Sequence, residues 1–458
     1  MSERRYLNFW QRVGYGSGDL AANMVYGLLT NFVMLYMTTT VGMNAAICGT
    51  LIMLSKFADG VSDFFCGFLI DRTKSKMGKA RPWMLFSYIG NAVCLIAVFS
   101  IPSSWGENVK YVYFFITYTL LNAVFYTANN ISYSALVSLI TKNHNERVVL
   151  GTFRFIFATI GYTICTSFTM SIVYKFSETS TVADANGWRA VAIIFALVGL
   201  VVNAISVFSV KELKEEDEVK QTDTKLSLGE SLILLAKNKY FIIVTALYIL
   251  SYFREAVSVG AAAYFFTYIV GSMDQYGAFM GAYNAMAMVG LIITPFAVRA
   301  LRSMRKLNIM AFSIQFIFRI ILVAAAYSFS GSLTIMIIAW GFGSLFDNVL
   351  FATINAFIAE VSEYTLLTTG KKIEGTIFAS ASIGIKVGSG IGTGVLGWML
   401  AKSGFSETAL LQTAACNNMI TGLLTVIPLI VTAITVVLYI ALKVEDANAR
   451  LRINEKNS

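Results

Sequence analysis

Read as apolar stretches separated by polar breaks, the chain contains twelve segments in which about twenty or more mostly apolar residues run together. The first six lie near 14–37, 43–70, 83–101, 111–139, 150–174 and 188–210. The second six lie near 240–270, 276–298, 307–329, 333–362, 375–401 and 417–442. A helix rises about 1.5 Å per residue, so about 20 such residues cross the ~30 Å hydrocarbon layer of a bilayer. Each segment therefore predicts one membrane-spanning helix. Several approach thirty residues, which implies tilt or extension beyond the bilayer. The sequence lacks the ten-residue alternating pattern of an outer-membrane barrel. The expected fold class is all-α, with twelve transmembrane helices.

Composition agrees with the pattern. Hydrophobic residues make up 57% of the 458, charged residues 13%, and there are only 4 Pro. Mean hydropathy is +0.67. A soluble domain carries about 25% charged residues, so the low charge excludes a water-soluble protein. The net charge of +9 then finds its explanation in topology. Of 35 Lys plus Arg, 26 fall at the N-terminus, in 71–81, at Lys142 and Arg147, in 211–239 and 299–306, at Lys371 and Lys372, and after the last span. The opposite loops hold only Lys110, Lys175, Arg189 and Lys402. The positive-inside rule puts both termini and the long central loop in the cytoplasm of a bacterial-type inner membrane. Nucleic acid is not an expected partner. The N-terminus has no cleavage-site pattern after a short apolar core, so the first span is expected to be retained. Cys48, Cys66, Cys94, Cys165 and Cys416 lie in or beside spans without CxxC spacing and read as small buried hydrophobes.

The only long polar run, 211–239, falls near the midpoint and reads as a cytoplasmic linker. It separates an N-terminal bundle, 1–210, from a C-terminal one, 240–443, with a tail at 444–458. At an offset of 224 residues, Ala135, Val137 and Ser138 recur as Ala359, Val361 and Ser362. Arg147, Gly151 and Thr152 recur as Lys371, Gly375 and Thr376. Two parallel, pseudo-symmetric six-helix repeats are the arrangement of major facilitator transporters. Gly67 to Asp71-Arg72, followed by Gly78-Lys79 and Arg81, resembles that superfamily's loop between helices 2 and 3. There an acidic residue and basic neighbours latch helix ends, which gives Asp71 and Arg72 a gating role.

Five basic residues lie within spans: Lys56, Arg154, Arg254, Arg319 and Lys386. Asp19, Asp59, Asp63, Glu255 and Asp347 are their acidic companions. A charge at mid-bilayer costs about 2.5–3.5 kcal/mol even on lenient insertion scales, so these residues must face the bundle interior or a watery path. Lys56, Asp59 and Asp63 share one helical face. Two carboxylates one turn apart repel, and a bound cation or a proton relieves that repulsion. The alternative is a Lys–Asp bridge with the second Asp reaching water. Asp19 offers a carboxylate to sugar hydroxyls or serves as a helix-start charge. Tyr126, Asn130, Tyr133 and Val137 share a face that serves either a polar ligand or helix packing. Arg154 has Asp19 as its natural partner. Ser382, Lys386, Ser389 and Thr393 form one polar stripe in a glycine-rich helix, either lining a path or bonding packed helices. Arg254, Glu255 and Asp347 read equally as gate salt bridges or substrate contacts. His144, the only histidine, is expected in a cytoplasmic loop. The sequence has no HExxH, no Ser–His pairing and no cytosolic domain able to hold a cofactor, which excludes an enzyme.

Together these residues resemble the glycoside–pentoside–hexuronide:cation symporter family, to which the melibiose carrier belongs. The resemblance runs over about 9–400. Its marks are Gly14 to Asp19-Leu-Ala, Lys56-x-x-Asp59-x-x-x-Asp63-x-x-x-Gly67, Asp71-Arg-Thr with Arg81-Pro82-Trp83, Tyr133-x-Ala135-Leu136 with Thr141, and Thr369 to Gly375 with Lys386. It implies that Asp59 and Asp63, with Thr127 nearby, hold a monovalent metal ion (Na⁺ or Li⁺) or a proton. It also implies that Asp19 and Asn130 meet sugar hydroxyls, and the polar faces described above add Tyr126, Ser382 and Lys386 as expected sugar contacts. Arg154 would hold them in place, and Lys386 and Lys56 would couple cation to sugar. Lys56 replaces a usual Arg, Phe64 and Ser132 replace prolines, and Asn130 and Ser134 stand where the melibiose carrier has Asp and Trp. The last two weaken galactoside recognition. The expected function is secondary active, cation-coupled symport of a sugar or glycoside by a monomer without a cofactor. A carrier of a lysolipid or drug is the alternative.

Overall fold

The computed structural model describes residues 5–179, 183–213, 235–328, 332–370, 374–407, 409 and 411–457. Helix α1 (Phe9–Gly16) leads into α2 (Gly18–Asn31) and the short α3 (Val33–Leu35), which ends in a π-helical turn, Tyr36–Thr40. Next come α4 (Ala45–Asp71), α5 (Arg81–Val98) and α6 (Glu107–Thr119). A second π-helical stretch, Leu120–Tyr126, joins α6 to α7 (Thr127–Ile140), and α8 (His144–Phe176) and α9 (Ala185–Ser209) follow. After the linker, α10 (Lys239–Phe265) ends in a third π-helical turn, Phe266–Val270. Then follow α11 (Asp274–Leu301), α12 (Met304–Ser328), α13 (Leu333–Thr369) and α14 (Glu374–Lys402). Helices α15 (Ala414–Leu424), α16 (Val426–Ala441) and α17 (Val444–Asn457) close the chain. No strand occurs among the described residues.

Ten described helices are long and apolar enough to cross a membrane, and an eleventh span appears when the pair Phe9–Asn31 and Val33–Thr40, bent by 45°, is counted as one. The remaining expected span, 375–401, coincides with α14, which has 29 residues. The fold is thus the all-α membrane architecture that the apolar pattern predicts. Some helices reach well past the predicted spans. Helix α8 starts at His144, where Asn143 caps it by accepting from the Glu146 N–H. So 144–149 is helical rather than loop, an extension into water that a polar N-terminal turn permits. The tail 444–457 is likewise helical, its Asn448 donating to the carbonyl and carboxylate of Glu360 on α13.

Contacts divide the chain into two units. The first comprises Met1–Val219, Ala262–Gly277 and Thr393–Asn417; the second comprises Lys220–Ala261, Ala278–Gly392 and Asn418–Ser458. Within each, glycine permits very close helix crossings. A Cβ at Gly161 would lie 2.4 Å from the Leu20 carbonyl oxygen, and one at Gly388 would lie 2.4 Å from that of Ile249. Those distances allow no side chain, so α8 packs on α2 and α14 on α10 through bare backbone.

The repeat also governs helix ends. Glu212, just after α9, accepts from the N–H groups of Lys79, Ala80 and Arg81 at 2.7, 3.0 and 3.0 Å, capping α5. Arg81 Nε returns a bond to the Val207 carbonyl at 2.9 Å. In the second unit Glu445 accepts from Ser303 Oγ and from the Met304 and Arg305 N–H groups at 2.7, 3.0 and 3.2 Å, at the start of α12. Arg305 Nε reaches the Tyr439 carbonyl at 3.1 Å. Both carboxylates meet orphan N–H groups at the positive end of a helix. Arg81 and Arg305 stand at the same 224-residue offset as the sequence echo.

Glu146 ties the N-terminus down. It accepts from the N–H groups of Tyr6 and Leu7, from Thr141 Oγ1 at 2.7 Å and from Arg12 Nη2 at 2.9 Å. Burial alone would raise its pKa, but the Thr141 hydroxyl, the two N–H groups and the Arg12 guanidinium together hold it below the ordinary glutamate value. A carboxylate depressed in the fold stabilises the fold above its unfolded pKa, and the contribution fades as pH falls through the folded pKa. Glu146→Gln should lower the apparent melting temperature at neutral pH, by an amount equivalent to about 2 kcal/mol for a charge-assisted bond set. The gap to the unmodified protein should close as pH falls below the glutamate range, and a gap independent of pH would refute the assignment.

Candidate translocation site

Two polar centres lie in the first unit. At the first, Arg154 of α8 grips Asp19 of α2: Nε donates to Oδ2 at 2.6 Å and Nη2 to Oδ1 at 3.4 Å. The pairing anticipated from sequence is therefore formed. Asp19 is 8% exposed, whereas the Arg154 side chain is 21% exposed, so the pair is covered on one side and open on the other. The guanidinium lies over the Tyr133 ring, 4.2 Å from its centroid, and Nη1 points at Ser134 Oγ, 3.4 Å away. Tyr133 and Tyr15 exchange bonds, each hydroxyl donating to the other's carbonyl, at 2.7 and 2.8 Å. That exchange fixes the aromatic floor under Arg154. Asn23 Nδ2 donates to the Asp19 carbonyl at 2.8 Å.

The second centre is built on α4. Asp59, 8% exposed, accepts a short hydrogen bond from Thr127 Oγ1. Thr127 is the first residue after the Leu120–Tyr126 π stretch, and its hydroxyl also meets the Asn122 carbonyl at 3.1 Å. A π-helical insertion shifts the register of side chains that follow it, and here the residue that follows is the one facing Asp59. Asp63 and Lys56, one turn either side, are half-buried. The Asn122 Nδ2 and Ser55 Oγ atoms are buried without a partner.

Other expected residues fall elsewhere. Asn130 is exposed on α7, and Tyr133 is a packing residue. Arg72 is exposed, its guanidinium 3.9 Å above the Phe68 ring. Asp71 ends α4 and Ser382 lies within α14, but their side chains are outside the described residues, as is that of His144. Lys386 is half-buried on α14 in the second unit. Ser389 Oγ donates to its carbonyl at 3.3 Å. Gly384, Gly388 and Gly392 of that helix pack against α10, so those glycines serve helix approach.

The second unit holds a charge cluster of its own. Asp347 of α13 takes Arg254 of α10 on Oδ1 and Arg319 of α12 on Oδ2, the latter at 3.3 Å. All three side chains are at most 5% exposed. Arg254 Nη1 also reaches Gln315 Oε1 at 3.0 Å and Thr432 Oγ1 at 3.4 Å, while Arg319 stacks on Trp340, 4.8 Å from the ring centroid. The sealed cluster binds α10, α12, α13 and α16 to one another.

The family model and the named relatives make this all-helical membrane protein a major-facilitator transporter and not an enzyme. Residues 14–446 match the MFS/sugar transport protein family, and the chain belongs to it, within the glycoside–pentoside–hexuronide group. It is 29% identical to the inner membrane symporter YicJ of Escherichia coli, over 93% of this chain and 89% of that one. It is 28% identical to the isoprimeverose transporter of Lactiplantibacillus pentosus, over 86% and 80%. Among solved structures, a bacterial homologue of the lysosomal transporter Spinster aligns with TM-score 0.70 at 13% identity, covering 98% of both chains. A D-xylose–proton symporter aligns with TM-score 0.65 at 13% identity, covering 93% and 97%.

Removing one partner of a buried ion pair strands the other charge, at about 3–5 kcal/mol when fully buried and less for the half-open Asp19–Arg154 pair. Arg154→Gln and Asp19→Asn should each lower the melting temperature, and the double substitution should lose less than the sum of the two. Additive losses would show that they do not act as a pair. Asp347→Asn leaves two guanidiniums without their counter-charge and should destabilise more than either, as read by the yield of folded protein and its thermal unfolding.

Proposed function

We propose that the chain is a secondary active symporter that couples a monovalent cation to uptake of a sugar or glycoside by alternating access. The supporting observation is the presence within one unit of Asp19–Arg154, a half-open hydrogen-bonding pair, and Asp59–Thr127, a buried oxygen pair. The names of the relatives, symporters and an isoprimeverose transporter, favour the same reading. Asp59, Asp63 and Thr127 offer hard oxygen ligands to Na⁺ or carboxylates to a proton. Asp19 and Arg154 offer acceptors and donors to sugar hydroxyls while remaining neutral as a pair, with Asn130 and Ser382 as further candidate contacts. Without the cation, repulsion between Asp59 and Asp63, one turn apart on α4, disfavours the sugar-binding arrangement. Cation binding removes that repulsion, and linkage requires sugar to tighten the cation by the same factor. Lys386 and Lys56 are the candidate coupling charges, and Asp71 and Arg72 a candidate cytoplasmic latch. Both termini are assigned to the cytoplasm from the basic loops.

The test is thermal stabilisation of the purified carrier by a panel of glycosides, pentosides and uronides, with Na⁺ or across pH. A sugar that stabilises more in Na⁺ identifies both ligands, and a gain that follows pH instead identifies the proton. Coupling of about 1–3 kcal/mol gives a mutual effect of about 5–150-fold. Asp63→Cys should abolish cation stimulation of uptake; uptake with full cation dependence in that variant would defeat the assignment. Stabilisation by lysolipids and by no sugar would overturn the substrate class.

A further inference from the structure

The sealed cluster of the second unit carries more positive charge than negative. Arg254 and Arg319 bring two guanidiniums to the single carboxylate of Asp347, and all three side chains are at most 5% exposed. Glu255, the next residue on α10, is half-buried and projects about 100° away from Arg254 around the helix. Donors also outnumber acceptors. Both Asp347 oxygens, Gln315 Oε1 and Thr432 Oγ1 already accept from the two arginines. Four buried donors are left without a partner among the described residues: Arg319 Nε and Nη1, Gln315 Nε2 and Trp340 Nε1. They belong to one patch. Gln315, 0% exposed, stands one turn before Arg319 on the same face of α12. Trp340, 2% exposed, lies against the Arg319 guanidinium, its ring centroid 4.8 Å away, and stands two turns before Asp347 on α13.

We propose that this patch, formed by Arg319, Gln315 and Trp340, binds one small monovalent inorganic anion of the chloride class, held as a structural ion of the second unit. Charge and hydrogen bonding argue for it together. A buried guanidinium is tolerated where a counter-charge meets it, and one negative charge brings Arg254, Arg319 and Asp347 to neutrality. A buried donor without an acceptor carries its full desolvation cost, and a spherical ion accepts from any direction. Water would satisfy some of the same donors but would leave the charge uncompensated. The patch offers donors and net positive charge, which repel a cation. Burial selects against a larger anion, since side chains at most 5% exposed leave no opening for the carboxylate of a glycoside. The ion binds the folded unit and not the unfolded chain, so it stabilises the fold by mass action. The inference rests on neither the sugar nor the coupling cation, so its failure leaves the symport reading intact.

The test uses the full-length carrier purified in sodium methanesulfonate and then equilibrated with sodium chloride at constant Na⁺ and ionic strength. The melting temperature should rise with chloride and saturate, and equilibrium dialysis against radioactive chloride should find one ion per chain. Gln315→Glu sets a carboxylate beside the guanidiniums. Its melting temperature without chloride should match that of the chloride-loaded protein and should no longer respond to the ion. Trp340→Phe keeps a ring against Arg319 and removes a single donor, so it should weaken chloride binding about tenfold, the factor for one hydrogen bond to an ion. A melting temperature that follows ionic strength and not chloride, or a chloride response unchanged in both variants, would overturn the proposal. So would displacement of the bound chloride by glucuronate, which would assign the patch to the carboxylate of a solute.

Discussion

Charge inside hydrocarbon governs this structure. An isolated carboxylate or guanidinium there would cost several kcal/mol, so it must find a partner, reach water or lose its charge. Asp19 meets Arg154, and Asp347 meets two arginines. Helix positions follow from those meetings. Gly161, two turns beyond Arg154 along α8, lets that helix press against the backbone of α2 beside Asp19. The glycines and the charges are one design, since close approach shortens the ion pair and the ion pair selects the face that approaches.

The two units meet the constraint differently. In the second, Asp347 divides itself between two guanidiniums in a closed setting, and the result joins four helices. In the first, Arg154 keeps a fifth of its surface open, and the Asp59 carboxylate accepts from the Thr127 hydroxyl. A sealed triad on one side and a half-open pair on the other divide rigidity from access.

The sequence carried much of this in readable form. Twelve apolar runs, the basic loops and the central linker needed only length and charge. The Asp19–Arg154 contact was open to inference because few partners exist for a charge in a span. The triad was not, since Arg254, Arg319 and Asp347 lie in three different spans and spacing says nothing about which spans touch. The π-helical stretch before Thr127 was equally hidden: it is one extra residue in a turn and leaves the apolar pattern intact. Helical periodicity grouped Tyr126, Asn130 and Tyr133 on one face, yet Asn130 is exposed and Tyr133 buried. Neighbouring helices cover a face unevenly, which a single-helix projection cannot register. The extended start of α8 was missed for a related reason, because a capped polar turn looks like a loop to a hydropathy scale.

The paired caps carry a consequence about origins. Glu212 finishes α5 from beyond α9, and Glu445 finishes α12 from beyond α16, with Arg81 and Arg305 in matching posts. Each half thus carries, beyond its last span, the carboxylate that finishes the start of one of its own inner helices. A stretch of six spans ending in such a glutamate has that helix start satisfied from within itself, as expected of a unit that was duplicated whole.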